Sequence, residues 1–319
     1  MARRLVPAFA FDIDGVLVRS TTPIPGAAQT IAQLQEKNYP FIFLTNGGGL
    51  TEEDHTERLA MRLGLPLDSH QFVQSHTPFK DLVDKYGDKP ILVLGGKGDQ
   101  IIKVAHAYGF KKVITDSDIF VEDDSIHPFP ESTAKVHQEH GRVWQDIGLD
   151  GPIKKTSIEA ILVWSSPRDW CLDLQLVMDL MLSQNGLIGT KSPKNGHPNI
   201  DEGTTLPNNG YLQDNQPALY FCNPDITWAT KASQPRLAQG SFKAALEGIW
   251  ERETSGTAKL NPIMCGKPTN LTYTYAEQTL KRWAQRDGED ARIYTVYMIG
   301  DNPASDILGA NSFRDGEYI

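Results

Sequence analysis

Short apolar runs recur along the chain with stretches of helical spacing between them. Phe9-Ala10-Phe11, Phe41-Ile42-Phe43-Leu44, Ile91-Leu92-Val93-Leu94, Ile161-Leu162-Val163-Trp164, Leu219-Tyr220-Phe221-Cys222, Ile263-Met264-Cys265 and, save for Thr295, Tyr294 to Ile299 are apolar at successive positions. A run apolar on both faces suits a central strand of a parallel sheet, which helices cover on each side. The intervening stretches read as helices. From Pro25 to Lys37, residues Ala27, Ala28, Ile31 and Leu34 share one face. Thr51 reads as an N-cap, with acidic Glu52, Glu53 and Asp54 in the first turn and Gly64 as the stop. Gln71-Phe72-Val73 reads as a further strand, and Thr77-Pro78 opens a helix ending at Gly87. Cys171–Leu182 is a strongly apolar helix; Ser241–Glu253 and Thr272–Arg286 are further helices. This βαβ order predicts an α/β protein with a doubly wound, Rossmann-like parallel sheet.

A second unit begins near residue 88, so the expected division is a core of residues 1–87 and 256–319 and an inserted, smaller α/β unit of 88–255. Val121–Lys155 is polar and weakly periodic, which predicts a long loop with a helical piece. Thr190–Pro217, rich in Asn, Gly, Pro and Lys, predicts a loop or partly disordered insertion. Gly95-Gly96-Lys97-Gly98 lacks the spacing of a nucleotide-binding loop and reads as a strand-to-helix turn.

Composition narrows the function classes. The chain has 319 residues, 39% hydrophobic and 22% charged, the make-up of an ordinary globular protein. A formal net charge of -9 argues against nucleic acid or an anionic membrane as partner. Cys171, Cys222 and Cys265 have no metal-like spacing and read as buried small hydrophobes in a reducing compartment. No apolar run approaches the roughly 20 residues that span a bilayer, so an integral membrane protein is not expected. Met1-Ala2-Arg3-Arg4-Leu5 is basic, but the first strand follows so soon that little room remains for a cleavable leader. By this N-terminus alone the expected location is the cytoplasm.

The candidate chemistry lies where apolar strands turn polar. The first run ends in Asp12-Ile13-Asp14-Gly15, the second in Thr45-Asn46, the sixth in Gly266-Lys267 and the last in Gly300-Asp301-Asn302. Each cluster has a bland reading: Asp14-Gly15 as a turn, Lys267 as a surface lysine, Asn302-Pro303 as a helix start. Ligands of open α/β sheets, however, bind beyond the carboxyl ends of the strands, where these residues would meet. Asp12, Asp14 and Asp301 suit a hard cation, Mg²⁺ rather than zinc. Lys267 and the Thr45 hydroxyl would hold an anion facing it, the combination that stabilises a transferring phosphoryl group. The histidines His76, His127 and His197 are expected on loops or at the surface. Asn223-Pro224-Asp225 reads either as a turn or as a substrate contact.

Phe11-Asp12-Ile13-Asp14-Gly15-Val16-Leu17, Leu44-Thr45-Asn46, Gly266-Lys267-Pro268 and Gly300-Asp301-Asn302 with Asp306 resemble, in order, the motifs of the haloacid dehalogenase-like phosphatases. The large insertion before Lys267 resembles subfamily IIA with its α/β cap. Leu94-Gly95-Gly96-Lys97-Gly98 and Gly300–Asp306 are most similar to the eukaryotic branch named for the cat-eye-syndrome critical region. The resemblance implies a Mg²⁺-dependent phosphatase acting on a small phosphomonoester through an aspartyl-phosphate. It implies Asp12 as nucleophile and metal ligand, and Asp14 as general acid/base whose backbone carbonyl touches the metal. Thr45 and Asn46 would bind substrate, Lys267 would neutralise the phosphoryl group, Asp301 would ligate Mg²⁺, and Asp306 and Asn302 would support that shell. The implied partner is a small phosphorylated metabolite, and the cap leaves room for a homodimer. A mitochondrial location follows from the same resemblance. Relatives of this kind usually continue past the fourth motif into another strand and helix, while this sequence stops at Ile319. The alternative is a weakly active or inactive relative kept as a binding or regulatory module, linked to mitochondrial glycerophospholipid metabolism.

Overall fold

A computed structural model describes residues 4–201, 204–286 and 291–313, so the basic Met1-Ala2-Arg3 lies outside the described residues. Strand and helix alternate as the pattern requires. In chain order the main elements are β1 (Arg4–Phe11), α1 (Ala27–Glu36), β2 (Phe41–Leu44), α2 (Glu52–Leu63), β3 (Phe72–Val73), β4 (Pro90–Leu94), α3 (Gln100–Tyr108) and β5 (Lys112–Thr115). They continue with α4 (Asp116–Glu122), β6 (Ala160–Val163), α5 (Trp170–Leu182), β7 (Ala218–Phe221), α6 (Gln239–Glu253), β8 (Ile263–Met264), α7 (Asn270–Ala284) and β9 (Ala291–Ile299).

The chain divides into two units, Met1–Pro78 with Cys265–Ile319, and Phe79–Met264. The first carries a parallel sheet of order β9-β1-β2-β3, with Phe11 level with Ile299 on one side and with Phe43 on the other. One face of the sheet packs Phe11, Phe41, Phe43 and Phe72 against Ile31 of α1 and Leu59 of α2. The other packs Ala8, Ile42 and Leu44 against Tyr273 and Leu280 of α7. Thr51 does cap α2, accepting from Asp54 N at 3.1 Å, and Gly64 ends it with a positive φ. β9 sits at the edge of the sheet. Its Tyr294, Val296 and Tyr297 are 59, 43 and 50% exposed, because no described strand lies beyond it.

The second unit has its own parallel sheet, β8-β7-β6-β4-β5, and its own core, including Leu92, Ile161, Phe221, Phe242 and Trp250. Its borders differ from the expected 87/88 and 255/256 for reasons of packing. Phe79 and Tyr86 set their rings edge-on to Tyr220, and Phe79 also to Trp164, so the segment before residue 88 belongs here. At the other end Ala258 and Leu260 join this core, and Trp250 donates to Ala258 O at 3.1 Å. β8 is a second departure: it pairs with β7 in this sheet, not with the strands that carry Asp12 and Thr45.

Val121–Lys155 is no long loop. It holds the end of α4, the helices Ala134–His140 and Trp144–Ile147, and 3-10 turns at Asp124–Ile126 and Ile153–Lys155. These pieces are too short to show a helical period and are held by side-chain caps such as Thr115 and Asp123. The described part of Thr190–Pro217 forms a small hairpin (Asn199–Asp201 with Thr204–Thr205) and a 3-10 turn. Asn208 pins that turn by exchanging two hydrogen bonds with the Lys259 backbone. Among the described residues no helix is long and apolar enough to cross a membrane. Cys222 and Cys265 are buried as expected; Cys171 is exposed on α5.

Candidate active site

The parallel register of the first sheet brings the ends of β9, β1 and β2 to one edge. Asp12 N donates to Ile299 O at 2.8 Å, and Thr45 N to Val73 O at 3.0 Å, so the polar residues begin where the ladder ends. Beyond β1 the chain turns sharply through Gly15, with φ at +88°. A Cβ there would lie 2.0 Å from Asp301 Oδ2, so only glycine lets this loop approach Asp301.

Lys267 reaches the site from the loop before α7, not from the end of a strand in this sheet. Its backbone is held by Asn46: Lys267 N donates to Asn46 Oδ1 at 2.7 Å, and Asn46 Nδ2 donates to Lys267 O at 3.0 Å. The ammonium group is buried and has three acceptors. It donates to Asp12 Oδ1 at 2.7 Å, Leu44 O at 2.9 Å and Asp306 Oδ1 at 2.6 Å. An ammonium has three donors, so this one is fully satisfied and fixed in direction.

Asp306, wholly buried, lies in the turn Pro303–Ile307. Its Oδ2 accepts from Asn302 N at 3.0 Å, and its backbone carbonyl accepts from Tyr273 Oη at 2.8 Å. Asn302 caps the turn by accepting from Ala304 N at 3.0 Å. Gly300 makes room here, since a Cβ on it would fall 2.2 Å from Asp306 Cβ. Carboxylate oxygens of Asp12, Asp301 and Asp306 come within 4.8 Å of one another. The side chain of Asp14 is exposed and not among them. Thr45 is buried, its Oγ1 accepting from Gly47 N at 3.0 Å.

The fold gathers Asp12, Thr45, Asn46, Lys267, Asp301, Asn302 and Asp306 at one edge of this sheet; the Asp306 carboxylate joins those of Asp12 and Asp301, while the Asp14 side chain stands apart and its backbone carbonyl is the atom expected at the metal. The sequence reading missed two supports. His76 is buried, not a surface histidine, and accepts from Gly49 N at 3.0 Å, shaping the glycine turn after Thr45. Tyr273 braces Asp306; its place on the apolar face of a helix gave no hint of this. His127 is also buried, in the second unit, while His197 is exposed as expected. Asn223 and Asp225 form the turn that was one of their two readings, with Asp225 N donating to Asn223 Oδ1 at 2.7 Å.

Charge decides what the site can hold. Burial pushes the Asp12 carboxyl up to about 6, the Lys267 charge and hydrogen bond pull it down, and Asp306 raises it. Asp14 is raised too, by surrounding protein first; Arg62 opposes this and Asp301 adds to it. Tyr273 is raised by burial and by the charges of Asp306 and Asp12. Three carboxylates against one ammonium leave two negative charges uncompensated at close range. All the ligand atoms are hard oxygens, the donor set of Mg²⁺ and its like, so the residues fit that ion.

Comparison with known proteins identifies the family. A family model described as haloacid dehalogenase-like hydrolase matches residues 9–111, and a second, HAD-hydrolase-like model matches residues 264–313. A mitochondrial hydrolase of Saccharomyces cerevisiae is 34% identical over 96% of this chain and 84% of its own length. A cardiolipin synthase (CMP-forming)/mitochondrial hydrolase fusion protein of Schizosaccharomyces pombe is 38% identical over 96% of this chain, which spans only 46% of the fusion. The solved structure of NagD from Escherichia coli K-12 superposes with a TM-score of 0.56 at 19% identity, covering 96% of this chain and 84% of that one. Over 84 residues, 26% of this chain and 33% of that one, the same protein, there named ribonucleotide monophosphatase, is 31% identical. The chain therefore belongs to the haloacid dehalogenase-like hydrolases, in subfamily IIA.

Proposed function

We propose that the protein is a Mg²⁺-dependent phosphatase of small phosphomonoesters, with residues 79–264 as its cap. The observation that carries this reading is the Lys267 ammonium, buried and hydrogen-bonded to Asp12 and Asp306 within a carboxylate group that retains two negative charges. Asp12, Asp301 and Asp306 would hold Mg²⁺, which supplies positive charge for the phosphoryl oxygens. Lys267 aims one oxygen of Asp12 and leaves the other for attack. That oxygen bonds to phosphorus as the ester P–O bond breaks, giving an aspartyl-phosphate. Asp14 delivers a proton to the departing alkoxide. It then takes a proton from the water that attacks phosphorus, releasing inorganic phosphate and regenerating Asp12. The Thr45 hydroxyl would donate to a phosphoryl oxygen, beside a glycine turn whose Gly47 N and Gly49 N are held by Thr45 and His76, and Asn46 acts through Lys267 by fixing its backbone.

The test is phosphate release from a panel of phosphomonoesters, with Mg²⁺ or EDTA, for the wild-type chain and Asp12→Asn. Turnover that requires both Mg²⁺ and Asp12 is the expected result. Turnover that survives Asp12→Asn would remove Asp12 as nucleophile. A silent wild-type chain that nonetheless binds phosphate and Mg²⁺ would turn the reading toward a binding module.

A further inference from the structure

The second unit encloses a cavity of about 340 Å³ that the chemistry above does not use. It lies where β4, β5 and β6 end, bounded by the turn Gly95–Asp99, the start of α4 and the start of α5. The carboxyl edge of a parallel sheet is where open α/β folds take ligands. The cavity is lined by carboxylates with unequal hydrogen bonding. Asp169 is saturated: Oδ1 accepts from Cys171 N and Leu172 N, and Oδ2 from Thr133 Oγ1 at 2.6 Å, His127 Nε2 at 2.9 Å and His137 Nε2 at 3.3 Å. Asp116 accepts from Ser117 N at 2.8 Å, and its other oxygen lies 3.8 Å from His137 Nδ1. Asp173 differs. It is 1% exposed, and its Oδ1 has no hydrogen-bond partner.

The Asp173 side chain hydrogen-bonds to another acid, the Asp116 carboxyl, and a buried acid pair with one oxygen left without a donor is a costly feature that a cationic ligand would relieve. Two properties of the cavity say which kind. Among the described residues, the one cluster of carboxylates or imidazoles tight enough to hold a metal ion is Asp12-Asp301-Asp306, so Asp116 and Asp173 suit an organic cation better. Lys97 and Arg168 line the same cavity and are exposed, while Asp99 beside them is engaged with His140 at 3.1 Å, so two cationic side chains are offered there. Ile101 and Ile102 add an apolar wall between.

We propose that this cavity binds a small zwitterion of the α-amino-acid kind, its ammonium group paired with Asp173 and Asp116 and its anionic group with Lys97 and Arg168. Burial, and then the charges of Asp116 and Asp169, push the Asp173 carboxyl well above the usual range, so an ammonium ion there would replace a bound proton. The assignment stands apart from the phosphatase reading, since none of these residues belongs to the first unit.

The experiment is calorimetric titration of the full chain, without phosphate or Mg²⁺, with each common α-amino acid and with N-acetylated forms of those that bind. At least one amino acid is expected to bind, and N-acetylation to abolish binding. Asp173→Asn should weaken binding by about tenfold or more, the scale of one lost charge-assisted contact. The paired variant Lys97→Ala with Arg168→Ala changes exposed residues only, so it keeps the test sound if Asp173→Asn folds poorly; it should weaken binding similarly. Asp12→Asn should leave binding intact, which separates this cavity from the site in the first unit. No binding by any amino acid at millimolar concentration would overturn the proposal. So would binding that N-acetylation and the paired variant leave unchanged.

Discussion

At the residue scale the first unit turns on Lys267. Its ammonium is 2% exposed and lies between two carboxylates, pairing with both Asp12 and Asp306. Removing one partner of a buried ion pair strands the other charge, a loss of about 3–5 kcal/mol. Lys267→Met should lower the stability of the metal-free chain by that amount, read from denaturant unfolding. Mg²⁺ should restore part of the loss, because it compensates the same carboxylates. An unchanged midpoint would mean that Asp12 and Asp306 share a proton instead of the lysine's charge.

At the element scale, Asp169 joins one helix start to two distant segments. It caps α5 while accepting from Thr133 and from His127 and His137. Burial alone would raise its pKa, but these hydrogen bonds outweigh burial and hold it at about 2. A folded-state pKa below the unfolded value stabilises the fold above the unfolded pKa, near 4, and that stabilisation is lost as pH falls toward 2. At roughly 1.4 kcal/mol per pKa unit, this is about 2 kcal/mol at neutral pH. Asp169→Asn should therefore be less stable than wild type by about that much at pH 7. The gap between their urea midpoints should close as the pH approaches 2; a constant gap would mean that the loss is packing, not charge.

At the scale of the whole molecule, the two units differ in how the chain builds them. Phe79–Met264 is one uninterrupted stretch with its own five-stranded sheet and core, whereas the first unit is assembled from two separated stretches. A continuous segment with a closed core can fold by itself. Residues 79–264 expressed alone should show a cooperative thermal transition and mixed α/β circular dichroism. A broad, non-cooperative melt would show that this core depends on the rest of the chain.

Much of this was legible in the sequence, because strand burial, helix caps and tight turns depend on residues a few positions apart. The doubly apolar runs marked β1, β2, β4, β6 and β7; Thr51 and Gly64 marked the ends of α2; and the polar residues closing β1, β2 and β9 marked Asp12, Thr45 and Asp301. What the local pattern could not carry was decided by contacts between distant segments. β9 carries an apolar run like that of β2 but lies at the edge of the sheet among the described strands, a matter of which strands pair. Lys267 follows a strand of the other sheet, and its backbone is pinned in the site by Asn46, 221 residues away. Asp306 joined the carboxylates, and His76 and His127 went inside, because tertiary packing supplied their partners. The sequence by itself determined the kind of elements and the chemistry at their ends, through short-range sterics and the burial of apolar side chains. Only the tertiary structure decided which ends meet, because sheet order and loop closure are set by the summed packing of whole faces.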